Sequence, residues 1–129
     1  MSARTSCVKI FLADDSALIR SRVAAMLETA ATTIVGEAET PRASIDGILA
    51  MRPDVVVLDV QLKGGTGLEV LLQVRQADPR IAFVVFSNSA APACRKLYLD
   101  AGAMLFLDKS TEFDQLARAV AAASRQQLQ

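Results

Sequence analysis

Five short apolar runs, separated by longer amphipathic segments, are the feature that most constrains the fold of this chain. Each run is rich in β-branched or aromatic residues and is apolar continuously rather than alternately: Val8–Ala13, Thr33–Ala38, Val55–Asp59, Ile81–Ser87 and Met104–Asp108. Continuous apolar runs are typical of strands that are buried on both faces of a parallel sheet. The sequence therefore predicts five buried parallel strands.

The segments that follow each run carry apolar residues at helical spacing. Ser16 and Thr40 are placed to cap the first two helices, and Gly102 is placed to end the fourth. The same spacing puts Leu72 and Leu97 on the apolar faces of the third and fourth helices. Because crossovers between parallel strands are right-handed, we expect an α/β fold, (βα)5, over residues 1–129 as one domain. Its doubly wound parallel sheet should be flavodoxin-like, with strand order 2-1-3-4-5.

Composition excludes several classes of function. Lys and Arg number 14, as do Asp and Glu, so the formal net charge is +0 and neither nucleic acid nor an anionic membrane is expected as a partner. The chain has no His, which excludes Ser-His triads, most zinc sites and a phosphohistidine role. Cys7 and Cys94 indicate free thiols in a reducing compartment. We expect no transmembrane helix and no signal peptide, and therefore a cytoplasmic location.

Polar residues follow four of the predicted strands at the same end. Asp14 and Asp15 follow the first strand, Asp59 the third, Ser87 the fourth and Lys109 the fifth. Because the carboxyl ends of parallel strands meet at one edge of the sheet, the three carboxylates should share one pocket. Asp59 also interrupts an apolar run, where a carboxylate is costly unless it is paired or bound to a metal.

Several segments in combination resemble the receiver domain of a bacterial two-component response regulator, over essentially the whole chain. The matching segments are Phe11–Ser16, Arg52–Val60, Gly67–Glu69, Ser87 and Ala101–Ser110. The residue after Lys109 is Ser rather than Pro, which is similar to receivers of LuxR/NarL-type regulators. We expect no DNA-binding output domain within residues 1–129.

The resemblance implies that Asp59 accepts a phosphoryl group from a sensor histidine kinase or a histidine phosphotransfer protein. It also implies a Mg²⁺ ion held by Asp14, Asp15, Asp59 and the backbone carbonyl of Gln61. A hard octahedral cation suits such a set, because it binds few carboxylates and keeps several waters. The three carboxylates are expected to repel one another without the metal.

The resemblance further implies that Lys109 and Ser87 bind phosphoryl oxygens and that Asp59, Lys109 and Ser87 form the catalytic set. Ser87 and Phe106 would act as the switch. The surface formed by the fourth predicted helix, the fifth strand and the fifth helix (the α4-β5-α5 surface) would change and contact an unknown downstream target protein. On this interpretation the chain is a signalling domain that catalyses only its own phosphorylation and slow dephosphorylation, not an enzyme acting on other molecules.

Departures from the family pattern give further expectations. Lys63 and Thr66 replace the usual residues in the loop after Asp59, which favours either a more mobile loop or a shape fitted to a particular partner. Phe106 lacks the hydroxyl of a Tyr, so we expect its ring to lie largely inward. The peptide bond before Ser110 should be trans, with Ser110 or Thr111 capping the fifth helix.

Three alternatives remain open from the residues alone. A phosphatase of the haloacid dehalogenase type would place its two Asp residues at i and i+2, whereas Asp14 and Asp15 are adjacent. A flavodoxin-like flavin-binding module would want a hydroxyl- and glycine-rich phosphate loop after the first strand, and the carboxylates there would repel that phosphate. A docking scaffold that works without phosphorylation is disfavoured by the complete acidic and Lys set.

Overall fold

The computed structural model describes residues 7–29 and 31–127, so the ends of the predicted 1–129 domain lie outside the described residues. Five strands form the main sheet: β1 (Val8–Ala13), β2 (Thr32–Ala38), β3 (Val55–Leu58), β4 (Ala82–Ser87) and β5 (Leu105–Asp108). Five α-helices alternate with them: α1 (Ala17–Leu27), α2 (Pro41–Met51), α3 (Gly67–Ala77), α4 (Pro92–Asp100) and α5 (Leu116–Gln127). Each predicted strand is present, with bounds that differ by at most one residue at either end.

All neighbouring strands of the main sheet are parallel, and their order is β2-β1-β3-β4-β5. The predicted order 2-1-3-4-5 is therefore confirmed. Ala13 pairs with Leu58, so the chain leaves β1 and β3 side by side. The backbone N–H of Asp59 donates to the carbonyl of Ala13 at 2.9 Å, which fixes the two strand ends relative to each other.

A hydrophobic core lies on each face of the sheet, which explains why the strands are apolar at consecutive positions. Side chains alternate between the faces of a strand. Val56 and Leu58 of β3 point into a core with residues of α2, α3 and α4. Val55 and Val57 point into a second core with residues of α1 and α5.

The predicted helix caps are present. Ser16 accepts a hydrogen bond from the backbone of Ile19 at 3.2 Å, and Thr40 accepts one from Ala43 at 3.1 Å. Gly102 follows α4 with a φ of +115°, a conformation that glycine adopts without strain. These local signals position the starts of α1 and α2 and the end of α4.

Two predicted core positions are wrong. Leu72 and Leu97 are each 51% exposed, although helical spacing placed them on apolar faces. On α3 the buried stripe consists of Gly67, Val70, Leu71 and Val74, and on α4 only Tyr98 is buried. The buried face of each helix is therefore narrower than the spacing of its apolar residues predicted.

The loop after β3 is a short antiparallel ribbon, in which Gln61–Leu62 pairs with Gly65–Thr66. At its turn the backbone N–H of Lys63 donates to the carbonyl of Glu39 at 2.8 Å. The ribbon is thereby joined to the loop between β2 and α2. The sequence favoured either mobility or a partner-specific shape here, and the structure has a defined turn.

The expected cap of α5 by Ser110 or Thr111 is wrong. The carboxylate of Asp108 accepts hydrogen bonds from the backbone N–H and the hydroxyl of Ser110, at 2.8 and 2.6 Å. The backbone N–H of Asp108 donates to the carboxylate of Glu112 at 2.8 Å. A 3-10 turn, Phe113–Gln115, then leads into α5. The Lys109–Ser110 peptide is trans as predicted, since the described residues contain no cis bond.

Candidate functional site

The carboxyl edge of the sheet contains an open cavity of about 400 Å³. Its walls come from the segments that follow β1, β3, β4 and β5: Asp15, Ser16, Ile19, Asp59, Gln61, Leu62, Ser87, Asn88, Ser89 and Lys109. The structure therefore brings together five of the predicted site residues, from four separate parts of the chain: Asp15, Asp59, Gln61, Ser87 and Lys109. Asp14 adjoins this group through its contacts with Lys109, described below.

Three carboxylates meet at this edge, as the strand register requires. One oxygen from each of Asp14, Asp15 and Asp59 lies within 4.8 Å of the others. Asp14 and Asp59 are each 6% exposed, whereas Asp15 is exposed. The cluster thus has two buried members and one that faces solvent.

Lys109 provides the counter-charge of this cluster. Its Nζ lies 2.6 Å from Oδ2 of Asp14 and 3.0 Å from Oδ2 of Asp59. Burial raises the pKa of Asp14, and the Lys109 ammonium opposes this effect only in part. Burial alone would lower the pKa of Lys109, but its hydrogen bond to Asp14 and the charge of Asp59 outweigh burial and raise it. The ammonium is therefore held in its charged form between two carboxylates.

The donor set fits a Mg²⁺ ion. Three carboxylates against one ammonium leave two negative charges, which one divalent cation would balance. Oδ1 of Asp14 accepts the backbone N–H of Ser16 at 2.9 Å, and Oδ1 of Asp59 accepts that of Gln61 at 3.4 Å. These bonds orient the carboxylates of Asp14 and Asp59. Asp15 is exposed, so its side of the cluster is open to water. A few oxygen ligands beside open space for water are what this cation requires.

Ser87 and Phe106 occupy neighbouring strands beside the cavity. Ser87 is 1% exposed, and its hydroxyl accepts the backbone N–H of Ser89 at 3.1 Å. Its carbonyl accepts the backbone N–H of Lys109 at 3.0 Å, so the two residues are fixed relative to each other. Phe106 is 4% exposed, and its ring lies inward as expected.

The sequence did not indicate a role for Arg20. Its Nη1 donates to the carbonyl of Asp14 at 2.6 Å, and its Nε pairs with Glu37 at 3.0 Å. Arg20 thereby connects the β1–α1 loop, which carries two carboxylates of the cluster, to β2. An Arg in the first turns of an amphipathic helix is ordinarily a solvated charge, so no local signal in the sequence indicates these two contacts of Arg20.

A doubly wound five-stranded sheet with an acidic pocket and a buried lysine at its carboxyl edge is the architecture of a signal receiver domain. The family model described as the response regulator receiver domain matches residues 10–121. The chain therefore belongs to the response regulator receiver family.

Solved receiver structures are similar to this one over nearly all of the chain. The signal receiver domain of the putative response regulator NarL from Mycobacterium tuberculosis is 29% identical, with a TM-score of 0.86 over 93% of this chain and 98% of that one. A two-component response regulator of the LuxR family from Aurantimonas is 26% identical, with a TM-score of 0.87 over 93% of this chain and 86% of that one.

Curated relatives are longer than this chain. A protein-glutamate methylesterase/protein-glutamine glutaminase of Pseudoalteromonas translucida is 32% identical over 86% of this chain and 28% of that protein. The DNA-binding transcriptional activator DevR/DosR of Mycobacterium tuberculosis is 31% identical over 88% of this chain and 52% of that protein. The chain therefore spans about a quarter to a half of the length of these two relatives.

Among residues 7–29 and 31–127, no helix combines the length and the apolar character needed to cross a bilayer.

Proposed function

We propose that Asp59 accepts a phosphoryl group in a Mg²⁺-dependent reaction and that this event changes the α4-β5-α5 surface. The observation that carries the proposal is the position of the Asp59 carboxylate. It is buried, lies 3.0 Å from the Lys109 ammonium, and has two further carboxylates within 4.8 Å. Phosphoryl transfer depends mainly on positioning and on neutralising charge, and these neighbours supply both.

In the proposed reaction a carboxylate oxygen of Asp59 attacks the phosphorus of a phosphohistidine. The new oxygen–phosphorus bond forms as the phosphorus–nitrogen bond breaks, and the imidazole leaves with the bonding electron pair. Lys109 then exchanges its contact with Asp59 for one with a phosphoryl oxygen. The Ser87 hydroxyl, at the end of the neighbouring strand, donates to another. Asp14, Asp15, Asp59 and the carbonyl of Gln61 would hold Mg²⁺, which would offset the charge of the incoming group.

Residues 1–129 contain no His, so they cannot supply a phosphohistidine donor themselves. We propose a sensor histidine kinase or a histidine phosphotransfer protein, acting in the cytoplasm. The downstream partner is a protein target, and the balanced charge of the chain disfavours direct contact with nucleic acid. The domain itself would catalyse only its own phosphorylation and slow dephosphorylation. Any methylesterase or DNA-binding activity would require other domains, as in the longer relatives.

The test is labelling with a small phosphodonor. Incubation with acetyl phosphate and Mg²⁺ should add one phosphoryl group per chain, measured by intact mass, and Asp59→Asn should abolish it. Asp100→Asn is the matched control, since Asp100 is an exposed carboxylate of α4 that pairs only with Lys96 among the described ion pairs. Undiminished labelling of Asp59→Asn would overturn the assignment.

A further inference from the structure

Tyr98 is the buried anchor of α4. It is 2% exposed, and its ring meets the ring of Phe106 edge to face, with centroids 6.1 Å apart and planes at 72°. Its carbonyl accepts the backbone N–H of Ala103 at 3.0 Å, which ties the end of α4 to the segment that enters β5. Burial raises the pKa of Tyr98 to about 12. The phenol is thus neutral and packed against Phe106.

The hydroxyl end of Tyr98 reaches the first turn of α3. The nearby backbone of Leu68 lowers the pKa of the phenol and so offsets part of the effect of burial. Leu68 also packs against the same core cluster as Tyr98 and Phe106. The residue before it, Gly67, lies directly against the carbonyl of Asp59, with no room for a Cβ between them. Tyr98 therefore contacts the segment that is packed on the backbone of Asp59.

Arg95, three residues before Tyr98 on α4, also contacts Phe106. Its guanidinium carbon lies 5.0 Å from the centroid of the Phe106 ring. Its Nη1 donates to the carbonyl of Phe106 at 2.7 Å. Phe106 is therefore in contact with two side chains of one helix, and a movement of its ring requires a movement of α4 or of these side chains.

We propose that Tyr98 is a positioning residue that couples the segment after Asp59 to Phe106 and α4. The inference rests on the proposed phosphorylation of Asp59. Phe106 has no hydroxyl, and Tyr98 carries the only phenol of the chain. Because protein interiors are close-packed, a shift of the Asp59–Leu68 segment displaces the Tyr98 hydroxyl, and its ring displaces Phe106. The signal thus reaches α4 through α3 as well as through Ser87.

Hydrogen exchange tests the coupling. The measured quantity is the change in exchange of the α4 backbone amides when Mg²⁺ and beryllofluoride are added. Tyr98→Phe keeps the ring and removes only the hydroxyl, so we expect this change to fall about threefold, while labelling of Asp59 by acetyl phosphate persists. Lys96→Gln, an outward-facing change on the same helix, should respond as the wild type does. An unreduced response of Tyr98→Phe would overturn the inference.

The wild-type protein supplies a second measurement that does not depend on the folding of a variant. The chain has one Tyr and no Trp, so its intrinsic emission comes from Tyr98. A saturable change in emission with Mg²⁺ and beryllofluoride, absent in Asp59→Asn, is expected. If the emission stays constant in a protein that acetyl phosphate does label, the inference about Tyr98 is overturned and the proposed function is not. Absence of labelling in the wild type would overturn the proposed function and the inference with it.

Discussion

The ammonium of Lys109 lies 3.0 Å from Oδ2 of Asp59, although fifty positions separate the two residues in the sequence. The same ammonium lies 2.6 Å from Asp14. Lys109 therefore neutralises part of the acidic cluster before any cation or phosphoryl group arrives. Its proposed role in phosphoryl binding and its contribution to folding depend on the same atom.

Replacing Lys109 by Ala should destabilise the protein. Two buried carboxylates would lose their shared counter-charge, and breaking a buried ion pair in this way costs about 3 kcal/mol. Added Mg²⁺ should restore part of the loss. Urea unfolding with and without Mg²⁺ measures both effects. Lys63→Ala is the control, because Lys63 is exposed and lies 3.8 Å from an exposed Glu39, a pair worth under about 1 kcal/mol. Equal losses of stability in Lys109→Ala and Lys63→Ala would contradict the role of Lys109 as the shared counter-charge of two buried carboxylates.

Asp15→Asn should raise the melting temperature in the absence of Mg²⁺. Two charges at the 4.8 Å limit that spans the cluster repel by about 3.5 kcal/mol at an effective dielectric of about 20, and the exposure of Asp15 reduces this substantially. We expect a gain of about 1 kcal/mol, or about 3 °C. Added Mg²⁺ should raise the melting temperature of the wild type more than that of the variant.

Asp46→Asn is the control for this measurement, since Asp46 is an exposed carboxylate of α2 that pairs with Arg42. It should leave the response to Mg²⁺ unchanged. Asp59→Asn relieves the same repulsion but also removes a partner of Lys109. The rise in melting temperature of Asp59→Asn should therefore be smaller than that of Asp15→Asn. A larger rise would mean that the Lys109 bridge contributes little to stability.

Most of the fold follows from local sequence signals. Consecutive apolar residues at Val55–Leu58 require burial on both faces, and the caps at Ser16 and Thr40 mark where helices begin. The site residues were predictable because each stands directly after a strand, and the parallel sheet aligns those ends. Strand position alone places Asp14 beside Asp59.

What the sequence did not predict depends on contacts between distant segments. No periodicity or spacing in the sequence indicates such contacts. They include the bridge from Lys109 to two carboxylates and the link from Arg20 to β2. They also include the approach of Tyr98 to the first turn of α3. The exposure of Leu97 depends on which side of α4 faces the core, and there only Tyr98 of this helix is buried. The loop before α5 is held by Asp108 rather than by a hydroxyl cap, since the Asp108 carboxylate accepts both the backbone N–H and the hydroxyl of Ser110.

Asp78→Asn should make stability less dependent on pH. Burial alone would raise the pKa of Asp78, but hydrogen bonds from Arg52 and Arg80 outweigh it and lower the pKa. A folded-state pKa below the unfolded value of about 3.9 gives stability that is present above that pH and lost as pH falls. At pH 7 the variant should lose about 1 kcal/mol, since both Arg side chains are largely exposed.

Urea unfolding of the wild type and Asp78→Asn between pH 3 and pH 7 measures this difference. The two curves should converge below a pH of about 4, where the wild-type carboxyl becomes protonated in the unfolded chain and then in the folded one. A constant difference across the range would show that Asp78 acts through packing and not through charge.

Gly67→Ala and Gly64→Ala separate the geometry of the site from the cost of a strained turn. A Cβ at Gly67 would overlap the carbonyl oxygen of Asp59 and lie 3.1 Å from Cγ of Leu58. A Cβ at Gly64 would meet nothing within 4 Å, but φ there is +83°, which disfavours Ala by about 1 kcal/mol. Gly64→Ala should therefore lose stability and keep its Mg²⁺ affinity and its labelling by acetyl phosphate.

Gly67→Ala should lose about 1–3 kcal/mol of stability, because the backbone must move and Asp59 moves with it. Its Mg²⁺ affinity and its rate of labelling should fall well below those of Gly64→Ala at matched stability. Equal affinity and equal rates in the two variants would show that the contact between Gly67 and Asp59 does not set the position of the carboxylate.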